Sequence, residues 1–115
     1  MITEFGKELR ILRIEKDENI NAMAKKLGIS IAYLSAIESG KRSIPSDLVD
    51  KIIEKYHLNK ERREVLREKE AISSNSINMN LSLVTPNQRK LVFALSRKLN
   101  DLTDEECLEI LGKIK

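Results

Sequence analysis

The sequence predicts a mainly α-helical protein, with five helices in residues 1–71, a linker in residues 72–76, and a short strand followed by two helices in residues 77–115. Apolar residues recur every three or four positions along most of the chain, as they do on one face of an α-helix. With two Phe, two Tyr and no Trp, the core is expected to be aliphatic. Four Gly and two Pro are few for a chain rich in loops, which also favours helices.

Two short helices, at residues 20–27 and 31–39, are predicted to form a helix-turn-helix. Asn19 and Ser30 precede them as N-terminal caps, because a side-chain oxygen at that position can accept a hydrogen bond from a free backbone N–H group. Gly28 ends the first helix of the pair, since glycine adopts the left-handed conformation without steric cost.

Three further helices are expected to surround this pair. The first covers residues 3–16, where apolar and charged side chains alternate at helical spacing. Pro45 opens the fourth helix, and Asn59 caps a highly charged fifth helix that ends near Ala71. The polar residues that follow are predicted to be a linker.

Strict alternation of apolar and polar residues predicts a half-buried strand at residues 77–83. A lone strand leaves its backbone groups unpaired, so we expect it to pair with the same strand of a second copy. The last two helices, opened by Thr85-Pro86 and by Thr103, would cover it. The alternative is an irregular connector. The expected dimerisation residues are Ile77, Met79, Leu81, Leu83, Leu91, Leu95 and Leu99.

The segment GISIAYLSAIESGKRSIPS, from Gly28 to Ser46, resembles the XRE family of helix-turn-helix regulators, which includes the Cro and CI repressors of phages. The resemblance covers residues 3–58 and implies a repressor-like helix-turn-helix domain in residues 1–71 that binds double-stranded DNA. Residues 31–39 would enter the major groove.

The resemblance also implies site residues. The base-contacting positions are Ile31, Ala32 and Ala36, and their side chains can pack on thymine methyl groups but cannot form bidentate hydrogen bonds. Specificity is therefore expected from methyl contacts, from Tyr33 and Ser35, and from DNA shape. The positions that touch phosphate or lie beside it are Asn19, Ser30, Tyr33, Ser35, Lys41 and Arg42.

A pair that ties the first helix to the end of the recognition helix in phage repressors corresponds here to Arg13 and Glu38. The resemblance implies a partly buried ion pair with a structural role. Two alternatives to the DNA interface stay open. Lys41 and Arg42 could form a solvated loop, and the face of Ile31, Ala32 and Ala36 could pack against another part of the chain or a partner protein.

Other classes of function find little support in the sequence. No nucleophile–base pair, metal-ligand spacing or glycine-rich phosphate loop is present, so we expect no enzyme, cofactor or metal. The net charge of +3 is compatible with a nucleic-acid partner but is weak evidence. The single cysteine excludes an intramolecular disulfide, and no apolar run is long enough to span a membrane, so a cytoplasmic protein is expected.

We therefore expect a sequence-specific transcriptional regulator that binds an operator as a homodimer, a repressor that also acts on its own promoter. The alternative is an antitoxin or adaptor whose C-terminal segment binds a partner protein such as a toxin. A ligand-sensing regulator ranks last, because residues 77–115 leave little room for a pocket.

Overall fold

The computed structural model describes all residues 1–115 and divides into two compact units, Met1–Ile77 and Asn78–Lys115. The prediction of a mainly α-helical chain is confirmed. The first unit contains α1 (Glu4–Glu15), α2 (Ile20–Leu27), α3 (Ile31–Glu38), α4 (Leu48–Tyr56) and α5 (Lys60–Ser73). The second contains α6 (Pro86–Lys98), a short 3₁₀ helix (Leu99–Asp101) and α7 (Asp104–Ile114). None of the helices is both long and apolar enough to cross a membrane.

Capping side chains set where most helices begin. The hydroxyl of Thr3 accepts a hydrogen bond from the backbone of α1, and the predicted caps Asn19, Ser30 and Asn59 do the same for α2, α3 and α5. α4 differs from the prediction, because it begins after Asp47 without any side-chain cap rather than at the Pro-Ser dipeptide. Side-chain caps thus mark four of the five helix starts in the first unit.

An aliphatic core holds the first unit together. α1 packs against α3 and α5, while α2 packs against α3 and α4. The buried apolar residues are Phe5, Leu9, Leu12, Met23, Ala24, Leu27, Leu34, Ile37, Leu48, Val49, Ile52, Tyr56, Leu58 and Leu66. Because both helices of the predicted helix-turn-helix bury one face in this core, their other faces are left at the surface.

Helix α5 packs along α1 and is held there by polar contacts. Arg62 lies 3.0 Å from Glu15 and 3.7 Å from Glu8, and the backbone N–H of Phe5 donates to the hydroxyl of Ser73 over 3.0 Å. Together with buried Leu66, these contacts anchor α5 on α1.

The predicted strand at residues 77–83 is wrong, because the structure contains no strand there or elsewhere. Asn80 Oδ1 accepts hydrogen bonds from the backbone N–H and the hydroxyl of Ser82, at 3.0 and 2.7 Å, and the chain turns at that point. Such local bonds compete with a strand ladder, and the segment has no neighbouring strand to pair with. The alternating Ile77, Met79 and Leu83 are instead exposed.

Helices α6 and α7 of the second unit are both well capped and largely solvated. Thr85 and Gln88 form a reciprocal capping box at α6, and Thr103 and Glu106 form another at α7. No residue of this unit is buried, although its leucines and isoleucines fall at helical spacing. The expected dimerisation residues Leu91, Leu95 and Leu99 are therefore exposed on α6 and the 3₁₀ helix.

Candidate nucleic-acid interface

The relative placement of α2 and α3 depends on a tight turn of three residues, Gly28–Ser30. Gly28 has φ 71°, a left-handed conformation that glycine adopts readily, and the N–H of Ile29 donates to the carbonyl of Ala24 over 3.0 Å. Ala24 is buried between the helices, so its small side chain permits close packing. This turn directs α3 across α2 with one face inward.

The inner and outer faces of α3 differ in burial. Leu34 and Ile37 are fully buried, which fixes the helix on the core. On the other side Ile31 is 45% exposed, and Ala32 and Ser35 are also exposed. An isoleucine that is 45% exposed is a surface feature available to a partner.

The remaining predicted residues of α3 lie at the edge of this outer face. Tyr33 and Ala36 are both half-buried rather than fully exposed. The carbonyl of Ala36 accepts hydrogen bonds from the backbone N–H groups of Lys41 and Arg42, at 2.9 and 3.2 Å. Gly40, with φ 79°, permits the chain to turn back in this way. The structure thereby brings the two predicted cations beside the outer face of α3.

A stacking contact that the sequence did not reveal orients one of these cations. The guanidinium carbon of Arg42 lies 5.2 Å from the centre of the Tyr33 ring, within the range of a cation–π contact. Neither Lys41 nor Arg42 forms an ion pair with a carboxylate, so both charges remain available to an anion such as a DNA phosphate.

The two capping residues lie at the exposed starts of α2 and α3. Asn19 Oδ1 accepts a hydrogen bond from the N–H of Ala22 over 2.8 Å, and the hydroxyl of Ser30 accepts one from Tyr33 over 3.1 Å. Their remaining donors, the amide of Asn19 and the hydroxyl hydrogen of Ser30, point to no partner within the chain. Free donors at a helix N-terminus are suited to phosphate oxygens.

The structure brings Arg13 and Glu38 together as a buried, bidentate ion pair between α1 and α3. Arg13 Nη1 donates to Glu38 Oε2, and Nη2 donates to Oε1 over 3.2 Å. The side chains are only 10% and 4% exposed. Arg13 Nη1 also lies 3.3 Å from the sulfur of Met23, so one guanidinium contacts α2 as well as α3.

The end of α3 is held to α1 by the backbone too, which sequence reasoning missed. The carbonyl of Glu38 accepts hydrogen bonds from the N–H and the hydroxyl of Thr3, at 3.0 and 3.1 Å. A Cβ atom on Gly6 would collide with that same carbonyl oxygen. A glycine inside a helix, where it lowers stability, was the one sequence signal of this close approach.

Lys26 of α2 forms a second polar cluster with Glu18 and Tyr56. Lys26 lies 2.7 Å from the Glu18 carboxylate and 4.7 Å from the ring centre of Tyr56. The Lys26 ammonium lowers the pKa of Glu18 below its ordinary value, whereas burial raises the pKa of the Tyr56 hydroxyl. Lys26 is thus committed to the fold and is not a free cation for DNA.

One further cation near the candidate interface was not predicted. Arg10 is 61% exposed, and its Nε lies 4.0 Å from Glu38 Oε1. It borders an open cleft of about 530 Å³ that is also lined by Ile20 and by Ser35 of α3. Ile20, the first residue of α2, is half-buried and packs against the core.

Comparisons with known proteins agree with this geometry. A family model described as a helix-turn-helix domain matches residues 4–66. The chain is also similar to the HTH-type transcriptional repressor RghR of Bacillus subtilis (strain 168), with 46% identity over 41 residues. That match covers 36% of this chain and 30% of the relative's length. No solved structure matches the chain significantly.

Proposed function

The chain belongs to the XRE-type helix-turn-helix family of DNA-binding transcription regulators, and on this premise we propose that it is a repressor that binds its operator as a homodimer. Helix α3 of each copy lies in the major groove, and Lys41 and Arg42 contact the adjoining phosphates. The observation that carries the proposal is the outer face of α3, which exposes Ile31 and Ala32 beside two unpaired cations.

The residue types on that face decide what kind of DNA sequence it favours. Ile31, Ala32 and Ala36 carry no hydrogen-bonding side-chain groups, so they gain most where they meet thymine methyl groups in the major groove. Ser35 supplies a hydroxyl that can donate to or accept from a base edge. The operator half-site is therefore expected to be rich in A·T pairs at the positions nearest the start of α3.

Phosphate contacts hold the complex in register. Arg42 is pre-oriented by its stacking on Tyr33, which reduces the conformational entropy lost when it binds a phosphate. The capping residues Asn19 and Ser30 place free donors at the starts of α2 and α3. These contacts give affinity that falls with salt but little sequence preference.

The repressor role rests on a relative's name, and the homodimer rests on the geometry of DNA recognition. The relative that aligns with 41 residues of this chain at 46% identity is named a transcriptional repressor, which supports the repressor role. A twofold dimer places two recognition helices about 34 Å apart, matching half-sites one helical turn from each other.

Selection from a random duplex library tests the placement of α3. The wild-type protein is expected to enrich one half-site, and Ala32→Gln is expected to change the preferred base at one position, because glutamine can bind adenine through its N6 and N7 atoms. Ala94→Gln is the control, since Ala94 is an exposed helical alanine in the second unit. No enrichment with the wild type, or an identical site with Ala32→Gln, would contradict the proposed interface.

A further inference from the structure

The second unit is too small and too open to be stable as it stands. It contains about 40 residues and none of them is buried. Units of that size usually need a disulfide, a metal or association with another chain, and isolated helices of 11 to 13 residues are marginal in water. The chain has a single cysteine and no cluster of three side chains able to hold a metal. Association is the remaining route to stability.

Each helix of this unit presents an uncovered apolar stripe. On α6 and the following turn it comprises Leu91, Leu95 and Leu99, at 68%, 45% and 55% exposure. On α7 it comprises Leu108, Leu111 and Ile114, at 67%, 44% and 75% exposure, with Ile110, 39% exposed, at its edge. Helices α6 and α7 make little contact with each other, so neither covers the stripe of its neighbour.

The area of these stripes matches what a dimer requires. The six side chains expose roughly 600 Å² per copy, so their complete burial in two copies would remove roughly 1,200 Å² from solvent, the lower limit for a specific interface. This counts apolar side chains alone. The charged residues that border the stripes add to the area and determine how two copies can approach.

The two helices carry opposite charge. Helix α6 has four cations, Arg89, Lys90, Arg97 and Lys98, and no acidic residue. Helix α7 has four carboxylates, Asp104, Glu105, Glu106 and Glu109, against Lys113. None of these charges forms an ion pair within the chain. At 3.6 residues per turn, Lys98 lies within about 60° of both Leu91 and Leu95 on α6, and Glu105 lies about 60° from Leu108 on α7.

We propose that the partner of this unit is a second copy of the same chain, with α6 of each copy packed against α7 of the other around a twofold axis. This inference rests on the homodimer proposed above and specifies its interface. Pairing α6 with α6 would bring four cations against four, whereas pairing α6 with α7 places each basic helix on an acidic one. Twofold symmetry makes each such contact occur twice.

A charge exchange between the two helices tests the pairing in the full-length protein. Lys98→Glu and Glu105→Lys are each expected to raise the dimer Kd about tenfold in sedimentation experiments at low salt, because each places like charges in contact at two symmetric sites. An equimolar mixture of the two variants is expected to form a heterodimer of about wild-type affinity, since both of its interfaces regain opposite charges. The double variant is expected to recover in the same way.

A charged substitution within the apolar stripe of α6 tests the stripe itself, and a matched control lies on the same helix. Leu95→Lys is expected to give a monomer at tens of micromolar. Phe93→Lys is expected to remain dimeric, because Phe93 is 63% exposed but lies on the opposite side of α6, where it stacks on Arg97. Neither residue belongs to the buried core of the first unit, so circular dichroism of each full-length variant serves as the check on folding.

Three results would overturn the proposal. One is a wild-type chain that is monomeric, which would leave the stripes to a different protein partner. Another is a dimer that Leu95→Lys does not weaken. The last is single charge variants that weaken the dimer but show no recovery when mixed. Binding of the monomeric variant to a half-site duplex distinguishes this failure from that of the DNA-binding proposal, because it depends on the first unit alone.

Discussion

Removing the arginine of the buried ion pair should strongly destabilise the first unit. In Arg13→Met the Glu38 carboxylate, 4% exposed, loses both hydrogen bonds from the guanidinium and has no buried cation beside it. Leaving one member of a buried pair uncompensated costs about 3 to 5 kcal/mol. With a urea m-value of about 1.5 kcal/mol/M, the unfolding midpoint falls by about 2 to 3 M.

Urea denaturation followed by circular dichroism measures this effect, and the neighbouring arginine supplies the control. Arg10 is 61% exposed and 4.0 Å from the same carboxylate, so Arg10→Met should cost less than about 1 kcal/mol. The double variant Arg13→Met with Glu38→Leu should regain most of the loss, since no buried charge remains. Equal effects of Arg13→Met and Arg10→Met, or no recovery in the double variant, would refute the assignment of a buried structural pair.

Three other perturbations follow from the contacts described. Gly6→Ala should lower the free energy of unfolding by about 1 to 3 kcal/mol, because its Cβ meets the carbonyl oxygen at the end of α3. The control Gly112→Ala has open space around it and should not destabilise the protein. Urea denaturation of both variants measures the difference. Glu18 has a lowered pKa beside Lys26, so its contribution to stability is present above the ordinary carboxyl pKa of about 4.3 and is lost as pH falls below it. In Glu18→Gln the free energy of unfolding should therefore depend less on pH in this acidic range. An unchanged pH dependence would contradict a stabilising Glu18–Lys26 ion pair. Arg42→Gln should weaken binding of all DNA sequences alike and reduce the salt slope by about 1, as measured by fluorescence anisotropy over a salt series; a changed sequence preference would instead make it a base contact.

The helix-turn-helix was predictable because its determinants are local. Asn19 and Ser30 accept hydrogen bonds from residues three positions later, and Gly28 ends α2 through its own backbone conformation. These signals lie in the sequence within one helical turn of the feature they determine. The resemblance to a known family then assigned roles that spacing alone could not supply.

Features that depend on distant residues were missed or mistaken. The close approach of Gly6 to the end of α3 and the stacking of Arg42 on Tyr33 join separate segments, and no short pattern predicts them. The strand failed for a different reason. Apolar and polar residues do alternate in this segment, but Asn80 and Ser82 form a local turn. The chain also offers no second strand with which its backbone could form hydrogen bonds.

The most direct test of the DNA-binding account is a titration of the full-length protein into labelled duplex DNA from immediately upstream of its own gene. A scrambled duplex is the control, and both titrations are made at two salt concentrations. We expect tight binding to the upstream duplex alone, with two protomers per site and an affinity that falls as salt rises. Weak and equal binding to both duplexes would contradict an operator-binding repressor and would direct attention to a partner protein.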